Sequence, residues 1–207
     1  MNKGIFITFE GPDGSGKTTQ INMLMEHLKN KGFQVVYTRE PGGTKISEKI
    51  RDIVLDNENS EMSATCEALL YAASRAQHVE ELIRPALSSG KVVICDRFVE
   101  SSVAYQGIGR GLGDNKVRAI NDFAINGVQP DLTIMLMIPC EEGLRRKKSQ
   151  RELDRLENSG DDFHRKVYFA YVKLAEKCDK IKVINGDRQK EEVFKDILSL
   201  LEKKIKL

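Results

Sequence analysis

The sequence alternates short apolar runs with longer segments of helical spacing, and this alternation limits the fold more than any other feature. Most of the runs are apolar on both faces, as is typical of parallel strands covered by helices on both sides. Between them, apolar residues recur at helical intervals, as at Ile21, Leu24 and Leu28. We predict an α/β fold whose five-stranded, doubly wound parallel sheet forms the middle of three layers. The predicted strands cover residues 5–9, 34–38, 92–95, 132–138 and 181–184.

Length and composition exclude several classes of protein. A chain of 207 residues, 40% of them hydrophobic, predicts one domain (residues 1–207) with its own core. The 33 basic and 31 acidic side chains leave a net charge of +2, so we expect no nucleic-acid partner and no anionic membrane surface. The four cysteines are widely separated and no apolar stretch reaches the ~18 residues of a membrane span, which favours a reduced, cytoplasmic location.

A glycine-rich segment lies directly between the first predicted strand and the first predicted helix. Residues 11–18 read Gly-Pro-Asp-Gly-Ser-Gly-Lys-Thr, the P-loop pattern G-x-x-x-x-G-K-[ST]. In this pattern backbone N–H groups and the helix N-terminus bind phosphate, the lysine reaches the terminal phosphates and the hydroxyl can ligate Mg²⁺. The predicted ATP-binding residues are Gly11, Pro12, Asp13, Gly14, Ser15, Gly16, Lys17, Thr18 and Thr19.

Charged residues follow two more of the predicted strands. Asp96 and Arg97 come at the end of the third strand, and Arg39 directly follows the second. In open α/β sheets ligands bind at the carboxyl ends of the strands, so we expect these side chains beside the P-loop, with Asp96 near the metal ion. A basic run, residues 145–151, has five cations in seven positions; its ordinary interpretation is a solvated helix face.

Six motifs follow one another along the chain: 11–19 (GPDGSGKTT), 38–44 (TREPGGT), 68–75 (ALLYAASR), 96–98 (DRF), 101–107 (SSVAYQG) and 130–133 (PDLT). In this order they closely resemble the thymidylate kinase (dTMP kinase) family of P-loop nucleoside monophosphate kinases. The resemblance implies transfer of a phosphoryl group from ATP to dTMP, giving dTDP for dTTP synthesis.

The resemblance also implies roles for individual residues. Tyr71 would stack on thymine, where the family more commonly has Phe, and Arg75 would donate to the base O4. Gln106 and Ser102 would read the base edge, and Tyr105 would lie under the sugar. The implied dTMP-binding residues are Asp13, Arg39, Arg51, Tyr71, Arg75, Arg97, Ser102, Tyr105 and Gln106.

The basic run corresponds to the mobile LID of the family, about residues 141–160, which closes over ATP. Some family members carry a catalytic arginine in the P-loop, where this chain has Gly14-Ser15, so we expect the LID to supply it. The expected catalytic cations are Lys17, Arg39, Arg97, Arg146, Lys148 and Arg151. The resemblance further implies Mg²⁺, held by Thr18 and Asp96, and a homodimer.

Two alternatives explain the P-loop differently. A regulatory GTPase needs an N-K-x-D motif, and the nearest string, residues 115–118, is Asn-Lys-Val-Arg. A kinase for another monophosphate, such as AMP, would commonly have Gly-Lys-Gly-Thr in the P-loop and would lack the Tyr71 and Arg75 pair. An assay across several monophosphates distinguishes these alternatives.

Overall fold

Five parallel strands form one sheet in the computed structural model, which describes residues 4–148, 153–177 and 180–205. The strand order is β2-β3-β1-β4-β5. The strands are β1 (Ile5–Glu10), β2 (Val35–Arg39), β3 (Val92–Asp96), β4 (Leu132–Met137) and β5 (Ile181–Asn185). The predicted sheet is therefore confirmed, and several strand ends differ from the prediction by one residue.

Helices connect the strands and cover both faces of the sheet. They are α1 (Lys17–Asn30), α2 (Lys45–Leu55), α3 (Ala64–His78), α4 (Arg84–Ser88), α5 (Val99–Ser102), α6 (Asp114–Ile125), α7 (Cys140–Lys148), α8 (Asp161–Lys177) and α9 (Lys190–Ile205). Two π-helical segments, Val79–Ile83 and Val103–Gly109, continue α3 and α5. Within the described residues, no helix has both the length and the apolar character that a membrane crossing requires.

Alternate residues of the central strand β1 pack into two different layers. Ile7 and Phe9 contact α1 and α9 in one apolar cluster, which includes Leu24 and Ile197. Phe6 packs on the opposite face in a second cluster with residues such as Ile83. This two-residue alternation gives the three-layer arrangement that the sequence pattern predicts.

The strand register brings the predicted site residues to one edge of the sheet. Arg39, the last residue of β2, pairs with Asp96, the last residue of β3, and Asp96 in turn pairs with Phe9 of β1. The chain enters the glycine-rich loop directly after β1. The carboxyl ends of three neighbouring strands therefore surround that loop.

Candidate active site

The glycine-rich loop passes tightly against the sheet and opens toward solvent at the start of α1. Gly11 has φ of +128°, and a Cβ atom there would lie 2.1 Å from the carbonyl oxygen of Leu136. Gly16, in the left-handed conformation, caps α1 without a side-chain hydrogen bond. The first backbone N–H groups of α1 are therefore available to an anion, as a phosphate-binding loop requires.

Lys17 lies across this loop. Its Nζ donates to the carbonyl oxygens of Gly11, at 3.0 Å, and Pro12, at 2.9 Å. Burial, together with repulsion from the Arg97 guanidinium, lowers the pKa of Lys17 to about 8. The ammonium group thus lies in a place that disfavours its charge until an anion arrives.

Thr18 and Asp96 form the predicted metal site, and their surroundings fit a magnesium ion. Both line a cavity of about 920 Å³ beside the loop. The Oδ1 atom of Asp96 is buried and has no hydrogen-bond partner among the described residues. A carboxylate oxygen and a threonine hydroxyl are hard oxygen donors of the type that Mg²⁺ prefers, and most of its remaining ligands are usually water and phosphate.

Arg97 lies where the loop meets β3, and its guanidinium is held from several sides. Nη2 donates to Asp13 at 2.5 Å, and Nη1 donates to the carbonyl oxygen of Gly11 at 3.1 Å. Nη1 also donates to Ser101 Oγ and to the Tyr171 hydroxyl, at 3.1 and 3.0 Å. The backbone has φ of +70° and donates through its N–H to Phe9. These contacts fix the Arg97 guanidinium beside the glycine-rich loop.

Arg39 and Arg51 extend the cationic wall. Arg39 forms two hydrogen bonds with the Glu48 carboxylate, at 3.0 and 3.1 Å. Both arginines also donate to the carbonyl oxygen of Pro41, at 3.1 and 2.9 Å. Burial, and repulsion from Arg39, lower the pKa of Arg51. Two adjacent guanidinium groups with one nearby carboxylate favour a bound anion.

A smaller cavity of about 170 Å³ continues from this wall into the protein. The predicted dTMP-binding residues that line it are Asp13, Arg51, Tyr71, Arg75, Arg97, Ser102, Tyr105 and Gln106. Arg39 lines only the larger cavity. The two cavities share seven lining residues, among them Asp13, Arg51 and Arg97, so a molecule in the smaller one can reach the glycine-rich loop there.

Two tyrosines, Tyr71 and Tyr105, line the small cavity. Tyr105 donates its hydroxyl proton to Asp13 Oδ2 at 3.1 Å, and the Arg97 guanidinium lies 5.3 Å from its ring centroid. Tyr71 is 9% exposed, and burial raises the pKa of its phenol. Tyr71 is therefore a neutral aromatic wall, as base stacking requires.

Arg75 lies in the wall of the small cavity and is almost completely buried. Its Nε donates to Glu40, Nη2 to the carbonyl oxygen of Phe98, and Nη1 to Ser102 and Asn121. Nη2 also lies 2.6 Å from Glu40. Four of the five N–H groups of this guanidinium therefore donate hydrogen bonds to the protein, and Nη2 is also in ion-pair contact with Glu40. A base oxygen must share one of these donors or exchange with the Ser102 hydroxyl.

Helix α7 brings Arg146 over the glycine-rich loop. Its guanidinium contacts Glu142 at 2.6 Å, Asp187 at 3.0 Å and the carbonyl oxygen of Gly14 at 3.5 Å. The other predicted LID cations cannot be placed, because Arg151 and the side chain of Lys148 lie outside the described residues. Arg145, earlier in the basic run, is highly exposed and pairs with Glu142, as the solvated-face interpretation predicts.

Residues 9–197 match the family model described as Thymidylate kinase. The chain belongs to the thymidylate kinase family. It is 52% identical over 204 residues to the thymidylate kinase of Clostridium novyi (strain NT), covering 97% of this chain and 100% of that one. It is 50% identical over 200 residues to the thymidylate kinase of Finegoldia magna, at 97% and 98% coverage. A crystal structure of thymidylate kinase from Ehrlichia chaffeensis has a TM-score of 0.80 at 31% identity, covering 96% and 99% of the two chains.

In this member of the family, sequence reasoning missed the carboxylates that hold the predicted cations. Glu48 binds Arg39, Glu40 binds Arg75, and Glu10 accepts from Ser101, a hydrogen-bond partner of Arg97. Glu10 is the completely buried last residue of β1, and an acid at the end of a mostly apolar run was the available signal. Glu48 follows the ordinary preference for acids in the first turn of a helix, so its sequence position gives no such signal.

Proposed function

We propose that this protein transfers the γ-phosphoryl group of ATP to dTMP, giving ADP and dTDP. One observation carries the proposal: the loop cavity and the small aromatic cavity meet at Asp13 and Arg97. A nucleotide bound on the loop and a monophosphate bound in the small cavity would thus bring their phosphates together beside a fixed arginine. Membership of the thymidylate kinase family supports the identity of both substrates.

The loop cavity would hold ATP. The glycine-rich loop and the N-terminus of α1 would bind the phosphates, with Lys17 on the terminal ones. Thr18 and the Asp96 carboxylate would hold Mg²⁺, which neutralises phosphate charge and keeps the reacting groups in line. The unsatisfied Oδ1 atom of Asp96 supports this assignment.

The small cavity would hold dTMP. The base would stack on Tyr71, with its edge toward Arg75 and Gln106, and the sugar would lie over Tyr105. Its volume and its aromatic lining support a pyrimidine nucleoside. The monophosphate would then extend to Arg97 and Arg39, where the two cavities join.

The chemistry needs cations and positioning more than acid or base catalysis. The second pKa of a phosphate monoester is about 6, so the acceptor oxygen is already ionised near neutral pH. This oxygen forms a new bond to the γ-phosphorus, while the bond from that phosphorus to the β,γ-bridging oxygen breaks and leaves its electron pair on ADP. Lys17, Arg39 and Arg97 would offset the negative charge of two nucleotides that otherwise repel each other.

Residues 141–160 would act as a LID within a single domain of residues 1–207. Arg146 already lies within 3.5 Å of the loop carbonyl at Gly14, which supports a role beside the transferring phosphoryl group. Lys148 and Arg151 remain candidates for the same role. Closure over ATP would also exclude water, which competes with dTMP for the phosphoryl group.

We further propose that the protein works as a homodimer in the cytoplasm. Helices α2 and α3 expose the apolar side chains of Ile46, Ile53 and Leu69, and these side chains support an interface between two copies. Cys66, Cys95 and Cys140 are free thiols, which supports a reducing compartment. Sedimentation equilibrium of the purified protein would test the dimer.

The proposed reaction is tested by measuring ADP formation from ATP and Mg²⁺ with dTMP, dUMP, UMP, CMP or AMP as acceptor. We expect the highest kcat/KM with dTMP, and we expect the product dTDP to appear in equal amount to ADP. A protein that forms no ADP with dTMP, or that prefers AMP, would refute the proposal.

A further inference from the structure

A buried carboxylate at the start of α3 receives hydrogen bonds from three side chains. Glu67 is completely buried, and its Oε1 accepts from Gln106 Nε2 at 3.0 Å and from Arg110 Nε at 3.2 Å. Its Oε2 accepts from Arg110 Nη2 at 3.1 Å and from Arg155 Nη2 at 2.7 Å. Burial opposes the charge of Glu67, but the hydrogen bonds from Arg110, Gln106 and Arg155 lower its pKa. Glu67 is therefore a fixed anion.

This anion determines which way the Gln106 amide points. An ionised carboxylate only accepts hydrogen bonds, so Gln106 must turn its NH₂ group toward Glu67. The carbonyl oxygen, Oε1, is then left for the other side. Gln106 lines the small cavity, is 1% exposed, and its Oε1 is buried without a partner among the described residues. A buried acceptor without a partner requires an explanation, and on a residue that lines a ligand cavity a donor group of the ligand can supply one.

We propose that Glu67 is a positioning residue that sets the selectivity of the small cavity between pyrimidine bases, by holding Gln106 with its carbonyl oxygen toward the base. The proposal rests on the proposed function. Thymine offers a donor at N3–H beside an acceptor at O4, whereas cytosine offers an acceptor at N3 beside a donor amino group. With Gln106 as acceptor, and with the base oxygen sharing an Arg75 N–H group or exchanging with the Ser102 hydroxyl, the cavity matches thymine and mismatches cytosine at both positions.

The same carboxylate also holds Arg155, which gives the obvious competing explanation. Arg155 donates through Nε to Val54 and through its backbone N–H to Leu55, at 2.8 and 3.0 Å. It therefore fixes the later part of the LID region, whose Leu156 lines the small cavity. Loss of Glu67 would loosen this wall for every nucleotide. That effect changes affinity in general, but it does not change the choice between two bases.

Glu67→Gln separates the two effects. The NH₂ group of the new glutamine must replace one of the two carboxylate oxygens. The Oε2 position receives N–H groups from two arginines, Arg110 and Arg155. The Oε1 position receives one arginine N–H group, from Arg110, and the NH₂ group of Gln106. The NH₂ group therefore takes the Oε1 side, and Gln106 turns its own NH₂ group into the cavity. We expect kcat/KM for dTMP to fall about tenfold to hundredfold, and the ratio of dTMP to dCMP to shrink at least tenfold.

Two further variants provide the controls. Arg155→Met cuts the contact with the LID segment and leaves the pair of Glu67 and Gln106 intact, so it should raise KM for both nucleotides and leave their ratio unchanged. The exchange variant, Glu67→Gln with Gln106→Glu, keeps one carboxylate near Arg110 and again points an acceptor at the base. Its ratio of dTMP to dCMP should return to within about threefold of the wild-type value.

The experiment measures kcat and KM for dTMP and dCMP in all four proteins, with circular dichroism melting to verify folding. An unchanged ratio in Glu67→Gln would overturn the inference, as would an equal change of ratio in Arg155→Met. If Glu67→Gln does not fold, the exchange variant decides alone, because a preference for dCMP there contradicts the proposal. Wild-type protein that does not phosphorylate dTMP would refute the proposed function instead.

Discussion

Binding of ATP should draw a proton onto the protein, because Lys17 is only partly charged when the loop holds no phosphate. Its pKa is about 8 in the free protein, where burial and Arg97 oppose the charge. Phosphate oxygens beside Nζ favour the ammonium form and raise this pKa toward the ordinary value of about 10.4. The prediction concerns ATP alone, without dTMP, so that no turnover occurs.

The expected uptake follows from the fraction of Lys17 that is neutral before binding. With a pKa of about 8, this fraction is ~0.1 at pH 7, ~0.5 at pH 8 and ~0.9 at pH 9. ATP itself contributes little at pH 8 and above, because the second pKa of a phosphate group is about 6. The sign is fixed: the bound state holds more protons, so ATP affinity falls as the pH rises above about 8, by up to tenfold per pH unit.

Isothermal titration calorimetry measures this uptake. The apparent enthalpy of ATP binding is recorded at pH 8 in two buffers with different ionisation enthalpies, and the slope gives the number of protons. Lys17→Arg is the matched control, because arginine keeps its charge throughout this range and should show no uptake. Equal apparent enthalpies in both buffers for the wild-type protein would refute the reasoning about Lys17.

Three further variants test other parts of the site. Tyr71→Ala should weaken dTMP binding about tenfold to hundredfold in calorimetry, because base stacking on an aromatic ring contributes about 1–3 kcal/mol; unchanged affinity would exclude stacking there. Arg146→Ala should lower kcat at least tenfold with little change in KM for dTMP, and an unchanged kcat would remove it from the phosphoryl-transfer step. Asp96→Asn should raise the Mg²⁺ concentration for half-maximal activity at least tenfold, and an unaltered magnesium titration would contradict its assignment as a ligand.

The parts of the fold and site that the sequence predicted are those with a local signal. The apolar runs identified the strands because parallel strands bury both faces, and the glycine-rich loop follows its own spacing rule. Arg39 and Asp96 were predicted to lie together because both end a strand, and they are register partners in the sheet. These residues lie together because the carboxyl ends of all strands in an open parallel sheet are at the same edge, where such folds bind their ligands.

The parts that the sequence did not predict depend on contacts between distant segments. Glu67 lies 39 positions from Gln106 and 88 from Arg155, and neither spacing follows a helical or strand period. Arg155 follows the basic run and is 8% exposed, although a charge in such a run is usually solvated. Only the folded structure shows that the Glu67 carboxylate takes the place of water as a hydrogen-bond acceptor for both Gln106 and Arg155.

The cations of this site differ in whether their position and charge are already fixed before a ligand binds. Arg39 and Arg97 each have a carboxylate partner, Glu48 and Asp13, within 3.0 and 2.5 Å. These pairs hold the guanidinium groups in place before any substrate arrives, which reduces the ordering that binding must bring about. Lys17 instead rests on two backbone carbonyl oxygens, and its pKa is lowered. The two arginines are therefore already in position to bind the phosphates, and Lys17 is the cation whose protonation changes when ATP binds.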